Sequence, residues 1–548
     1  MRHLKKLFFI IMSAVLAVSP IRAQNTAGTD FWITFGRIMT FDNPSLLSFE
    51  IRIVGGNEPT WVRIDFTNLQ THIDFNINSY QVYNYILDNT QNNAVYNISM
   101  GITDYSIRIT TEKPVTVYAM YGFGNYWPIT NVLPVTALGT DYYQISYLPT
   151  IINGSGLDAY AVLATQNNTQ VLHNDILEAT LNAGEVYYRT EYSDMTGAHI
   201  TTNYPVAFFA SNQDALIDFY ILDVSLFQQL APINTWGKNF FVPVTENEKD
   251  IIRIVASQNG TNITQRGGNV RSGVPGAQTN LTGLQAGEFV ELYVHLDSAG
   301  CFIETNFPVG VCSYIRSNPS APSTMPAQTW IPGIEQSVTT ALIAPFVPST
   351  INMITNHFAL ISTPSATKGD TKVSIGGASP TNVSGGIWHD NAISGKSFYS
   401  MPLTEHYSTY IFSNPQGMIM LGYGINNTQS ATSYYYLAYS AMKNLQASFY
   451  ANGIYYNALN DLSLYCGATV NFSAEIEGLN TNAGSLKWFI NGDEETAAED
   501  QLEWSKEFSD VGDFEIGMWV LFEDGTSTTI TGTLTIKKFW VKMRNIKH

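Results

Sequence analysis

The sequence predicts an all-β protein, on three observations. The first is composition: 31 Tyr, 29 Phe, 10 Trp and 41 Gly in 548 residues, with 13% charged side chains. Aromatic residues fit half-buried pleated surfaces and glycines fit tight turns, a poor mixture for long helices. The second is a succession of short segments with two-residue alternation, separated by Asn- and Gly-rich turns. The third is self-similarity at a spacing of about 100 residues. With 45 acidic against 27 basic residues the net charge is −18, which repels phosphate backbones and argues against nucleic-acid binding.

The elements follow in order. Residues 1–23 read as a secretory signal peptide: Arg2, Lys5 and Lys6, then the apolar run from Leu7 to Val18, then Pro20 and Ala23 before Gln24. The run is short against the roughly 20 residues needed to span a bilayer, so export and no transmembrane span are expected. Four β-units follow near 28–138, 139–236, 237–338 and 339–445, together a repeated domain over 24–445. Gly28-Thr29-Asp30-Phe31-Trp32 returns as Gly139-Thr140-Asp141-Tyr142-Tyr143 and, more weakly, as Gly237-Lys238-Asn239-Phe240-Phe241. A closing motif recurs around Pro114, Pro205, Pro308 and Pro415, and a linking proline stands five residues before the next glycine at Pro134 and Pro232. Each closing proline is expected at a hairpin tip, where its missing N–H does no harm. The stretch 214–230 is the nearest to a helical pattern. Units of this kind bury their faces either in a propeller-like ring or in a row of β-sandwiches. Residues 446–536 read as a separate Ig-like β-sandwich, with Cys466 as a core residue and Trp488 on a strand, and 537–548 as a basic tail.

The G-T-D-F-W opening, the I-x-T-x-x-P-V closing motif (Ile109 to Val115, Ile200 to Val206) and the P-x-x-x-x-G link (Pro134 to Gly139, Pro232 to Gly237) resemble the N-terminal domain of IgGFc-binding proteins, over roughly 28–440. Asp510-Val511-Gly512-Asp513-Phe514 resembles the corner of immunoglobulin-like domains, with Phe514 in place of Tyr and Ile516 in place of the second Cys. Lys487-Trp488-Phe489-Ile490-Asn491-Gly492-Asp493 resembles a reduced polycystic-kidney-disease (PKD) signature. Together these resemblances imply a Bacteroidetes-type surface adhesin that binds host mucin, immunoglobulin or another glycoprotein. The alternatives are an assembly component of a surface complex, and a carbohydrate-active enzyme or its accessory subunit.

Motifs for catalysis are missing: there is no phosphate-binding G-x-x-x-x-G-K-[ST], no H-E-x-x-H and no G-x-S-x-G. No enzyme activity and no cofactor or metal are therefore expected, although Asp214, Asp218 and Asp223 are residues of the type that hold calcium. Cys301 and Cys312 flank Pro308 and are read as either a disulfide across a hairpin or two buried thiols. The candidate ligand-binding residues are Tyr121, Phe123, Tyr126 and Trp127, interleaved with glycines after the first closing motif, because exposed rings present flat apolar faces to sugars or protein anchors. Tyr434, Tyr435 and Tyr436 are a second aromatic run.

Overall fold

The computed structural model describes residues 25–38, 41–124, 127–150, 156–217, 224–247, 249–316, 325–347, 354–426, 432–456, 459, 462, 464–523 and 527–538. Strands hold 57% of the described residues and helices 7%, so the fold is all-β. It divides into two compact units: residues 24–447 with 476–478, and residues 448–475 with 479–548.

In the larger unit the first sheet is built on one long strand, Ile107–Gly122. Residues 107–111 of this strand pair with Thr60–Phe66, while residues 115–122 pair with Ser48–Gly55 and residues 117–120 with Ile129–Val132. Pro114 stands where the strand passes from one set of partners to the other. The second sheet does the same on His199–Asn212, with Pro205 between the part paired to Thr169–His173 and the part paired to Asp158–Ala164 and Leu226–Gln229. A third instance is Tyr410–Ile425, with Pro415 between Lys372–Ile375 and the later partners Asn356–Pro364 and Ser433–Tyr439. Between them the chain breaks at Pro308 into Cys301–Thr305 and Val309–Ile315, which lie in separate sheets.

These pairings correct the hairpin-tip expectation for the prolines. The chain keeps its direction through Pro114, Pro205 and Pro415, and at all four prolines the absent N–H falls where one ladder has ended and the next has not begun. They also remove the geometry proposed for Cys301 and Cys312. Cys301 lies opposite Val242 in one sheet and Cys312 opposite Arg253 and Trp330 in another; both are buried free thiols. Burial pushes each of them up to about 12, so neither is a reactive thiolate at neutral pH.

The repeated glycine has a steric cause. The opening strand Ala27–Ile33 meets the long strand at Gly28↔Val115 and next at Asp30↔Thr110, and the same jump recurs at Gly139↔Val206 and Asp141↔Thr201. A Cβ on Gly28 would lie 2.3 Å from Cβ of Pro134, and one on Gly139 2.5 Å from Cβ of Pro232. The linking proline thus folds back over the glycine that opened the same stretch of chain.

The strands Ile129–Val132, Leu226–Gln229, Ala327–Trp330 and Ser433–Tyr439 lie innermost and touch in a closed cycle, first to second to third to fourth and back to the first. Polar side chains tie the cycle: Gln229 N–H donates to Thr130 Oγ1 at 2.8 Å and Trp330 N–H to Gln228 Oε1 at 3.3 Å. Closure is made by Tyr118 OH donating to the Ala438 carbonyl at 2.9 Å and by Thr26 N–H donating to the Ser440 carbonyl at 3.1 Å. One further strand crosses between sheets: Gly101–Thr103 leaves the first region and pairs with Val186–Tyr188 as the edge of the second sheet. The end of the 214–230 stretch is strand at Leu226–Gln229, and the one α-helix among the described residues is Asn89–Asn93, closed by an Asp88–Gln91 capping box.

The smaller unit packs a four-stranded sheet on a five-stranded one. Trp488 is buried between them, with ring centroids 5.4 Å from Phe449, 5.9 Å from Phe472 and 5.5 Å from Trp504. Phe514 packs edge-on to Phe508 at 5.0 Å. Cys466 is exposed, which corrects the expectation of a core residue; it stands in the turn between Leu464–Tyr465 and Ala468–Ile476. Residues 1–23, expected from the sequence to be a signal peptide, and the expected basic tail beyond Lys538 lie outside the described residues.

Candidate functional site

Two concave regions of the larger unit merit chemical description. The first is the mouth of the central cycle, where the inner strands begin. A cavity of about 20 Å³, room for one water molecule, is walled there by Trp127, Phe227, Met325, Gln328, Tyr434 and Tyr435, with each inner strand contributing. Trp127 is buried and its Nε1–H donates to the Gly124 carbonyl at 2.8 Å. Tyr121 is core: its ring stacks on Phe49 at 5.5 Å and stands edge-on to Phe35 and Phe227. That removes it as a ligand platform. Phe123 is 47% exposed, leaning on Phe41 at 5.2 Å. Tyr126 lies outside the described residues, as do Asp218 and Asp223, while Asp214 is buried and accepts from Val224 N–H. Tyr434, Tyr435 and Tyr436 are buried in the innermost layer, as joint fillers.

The second region is a cleft of about 400 Å³ between the loop 193–197 with Leu148 on one side and residues 275–276 and 286–289 on the other. A buried ionic cluster lies beside it. Arg253 Nη1 donates to Asp194 Oδ2 at 2.6 Å, Thr196 Oγ1 at 2.8 Å and the Ser146 carbonyl at 2.9 Å, and Nε donates to Glu291 Oε2 at 2.9 Å. Its guanidinium is 3.9 Å from the Tyr147 ring centroid and 4.7 Å from that of Phe289. Arg271 bonds Glu291 and Tyr147 OH. Burial works against the charge on Arg253, yet Asp194 and Glu291 outweigh it and hold its pKa well above the ordinary range. Nearby, burial and then the charge of Asp194 lift Asp158 far above the usual carboxylate range. Asp158 accepts from Ser146 Oγ at 2.6 Å and from Met195 N–H at 2.7 Å, which props the loop that walls the cleft.

Sequence reading missed this cluster, though a signal was present. Ile51-Arg52-Ile53-Val54 and Ile252-Arg253-Ile254-Val255 are the same tetrapeptide, and an Arg inside an apolar strand must find partners. Arg52 is the counterpart: it faces Asn84 as Arg253 faces Glu291, bonds that residue's Oδ1 at 2.7 Å, and lies 4.3 Å from the Phe346 ring centroid. Among the described residues no group of three or more His, Cys, Asp or Glu is placed to hold a metal ion, and no helix is long and apolar enough to cross a membrane.

Comparison with known proteins gives three findings. No curated protein matches the chain. Among solved structures, a Ca²⁺-stabilised adhesin with which an Antarctic bacterium binds ice aligns at 11% identity over 77% of this chain and 93% of that one, with a TM-score of 0.10. The human desmocollin-1 ectodomain aligns at 10% identity over 73% and 78%, with a TM-score of 0.11. Neither score defines a shared arrangement. The sequence model of the family described as IgGFc binding protein matches residues 128–424, more than half of the 548 residues, and the chain belongs to that family.

Proposed function

We propose that the protein is an exported, non-enzymatic cell-surface binding protein that recognises a host glycoprotein such as mucin or immunoglobulin. In this reading four copies of one β-unit form a propeller-like ring over 24–445, the segment 1–23 directs export, and an Ig-like or PKD-type module at 446–536 follows the ring. The observation that carries it is the closed cycle of inner strands, which brings Trp127, Val224, Met325 and Ser433, at the starts of those strands, around one mouth. Membership of a binding-protein family supports it. Ligand contact falls on the aromatic residues that follow the first closing motif, with Phe123 as the exposed ring, backed by Phe41.

The test is surface plasmon resonance of the chain from Gln24 onward over immobilised immunoglobulin, its Fc fragment and mucin. Saturable capture by at least one surface is expected, weakened tenfold or more by Phe123→Ala with an unchanged melting curve. Absence of capture on all three surfaces would refute the host-glycoprotein reading. Undiminished capture by Phe123→Ala would move the contact away from these residues.

A further inference from the structure

The cleft beside Arg253 has a lining that selects by chemistry. Its residues include Ser193, Asp194, Thr196, Pro275, Glu288 and Phe289, and no Lys, Arg or His side chain is among them. An anionic ligand would meet two carboxylates and no cation. A cationic ligand fares little better. Asp194 is already spent, with one oxygen accepting from Thr196 N–H at 3.0 Å and the other from Arg253 at 2.6 Å. Glu288 accepts from Gln285 N–H at 2.8 Å, which ties one of its oxygens to its own turn.

What remains suits a neutral ligand with one apolar face and a rim of hydroxyls. Leu148, Pro275 and Phe289 supply apolar wall. Thr196 Oγ1 accepts from Arg253 Nη1 at 2.8 Å and from Ser146 N–H at 3.1 Å; with its acceptor sites used, its own proton is the one it has to offer. The second oxygen of Glu288 accepts. Gly197, Gly276 and Gly287 line the cleft at φ of 91°, 77° and 82°; a Cβ on Gly197 would run into the Gly287 carbonyl and one on Gly287 into the Gly197 carbonyl, so the missing Cβ atoms let the two walls meet at the floor of the cleft. The volume of about 400 Å³ lies in the range of small-molecule sites. The wall itself is fixed, because Asp158, Asp194 and Arg253 hold the loop 193–197 from beneath.

We infer that this cleft is a carbohydrate subsite that takes one or two neutral sugar residues, the ring's apolar face against Pro275 and Leu148 and its hydroxyls to Thr196 and Glu288. The inference deepens the glycoprotein-binding reading and rests on it for biological meaning.

Titration calorimetry and saturation-transfer NMR test it on the chain from Gln24 onward, with methyl glycosides of galactose, N-acetylglucosamine, fucose and N-acetylneuraminic acid, and with arginine amide as a charged probe. At least one neutral glycoside is expected to saturate, with an affinity unchanged between low and high salt, and the anionic N-acetylneuraminic glycoside is expected not to bind. Ser193→Trp, which fills the cleft, should weaken binding at least tenfold. Glu288→Gln, which keeps an oxygen for Gln285 N–H, should weaken it severalfold. The inference is overturned if no neutral glycoside saturates, if Ser193→Trp and Glu288→Gln both bind like the parent, or if arginine amide alone binds and is displaced by salt. Capture of glycoprotein without free-sugar binding would sink the cleft and leave the proposed function. Sugar binding without capture of any glycoprotein would do the reverse.

Discussion

At the scale of single residues, the same place in the sheet carries different ionisable groups. Asp158 lies opposite Asn212, Asp250 opposite Ile315 and His357 opposite Gly424, each five or six positions beyond the first pair of that ladder. Burial pushes Asp250 up to about 7 from 3.8. The folded chain therefore keeps a proton that the unfolded chain releases, and stability that is full below about pH 4 is lost as pH rises towards 7. His357 is driven down to about 3 by burial, with the charges of His406 and Arg52 adding to it. Here the unfolded chain gains a proton below about 6.5 that the folded chain refuses, so stability is full above that value and is lost as pH falls towards 3. The two slopes, each about 1.4 kcal/mol per pH unit at most, oppose one another through the same window. Urea denaturation should show that Asp250→Asn leaves a chain losing stability towards acid, and His357→Gln one losing it towards neutral pH. A second prediction concerns Arg253. Removal of one partner of a buried ion cluster leaves uncompensated charge, so Arg253→Met should cost about 3–5 kcal/mol. Arg52→Met should cost less in the same assay, since Arg52 bonds the neutral Asn84 and the Val347 carbonyl.

At the scale of elements, the linking proline and the opening glycine act as a pair. Gly139→Ala forces a methyl within 2.5 Å of Pro232 Cβ, and the overpacking should cost about 1–3 kcal/mol. The double variant Gly139→Ala with Pro232→Gly should recover part of the loss in thermal denaturation; a fully additive double variant would deny the contact. Both residues were legible in the sequence as landmarks, since Pro134 and Pro232 each stand five before the next glycine, but their contact was not: each proline closes on the glycine that opened its own stretch, 106 residues back at Gly28 and 93 at Gly139. The strand handovers were not legible either. A proline flanked by apolar segments reads as a turn, and only the pairing of Thr60–Phe66 and Ser48–Gly55 to successive halves of Ile107–Gly122 shows that the chain runs straight on. The partners of Arg253 were hidden for a related reason: Asp194 and Glu291 are 59 and 38 residues away, and no local pattern joins them. The capping box at Asp88 and Gln91 was visible as D-x-x-Q but opens only five residues of helix.

At the scale of the whole molecule, closure depends on the first and last parts of the larger unit meeting. Tyr118→Phe removes the bond to the Ala438 carbonyl while keeping the ring 4.9 Å from Tyr436. The lost bond should cost about 1–3 kcal/mol. Hydrogen exchange should quicken in Ser433–Tyr439 as well as in the strand that carries the substitution; a change confined to the latter would mean that closure does not couple them. The all-β class was readable from composition and alternation alone. The choice between ring and row was not, because contact among Ile129–Val132, Leu226–Gln229, Ala327–Trp330 and Ser433–Tyr439 is set by packing between stretches about 100 residues apart.

The loan of Gly101–Thr103 to the neighbouring sheet has a practical corollary for anyone excising a piece of this protein. A recombinant fragment trimmed to residues 128–424 would leave that strand behind, baring the backbone of Val186–Tyr188 along an apolar margin. Unshielded margins of this kind recruit other chains, so such a fragment should precipitate where one starting at Gln24 stays dispersed.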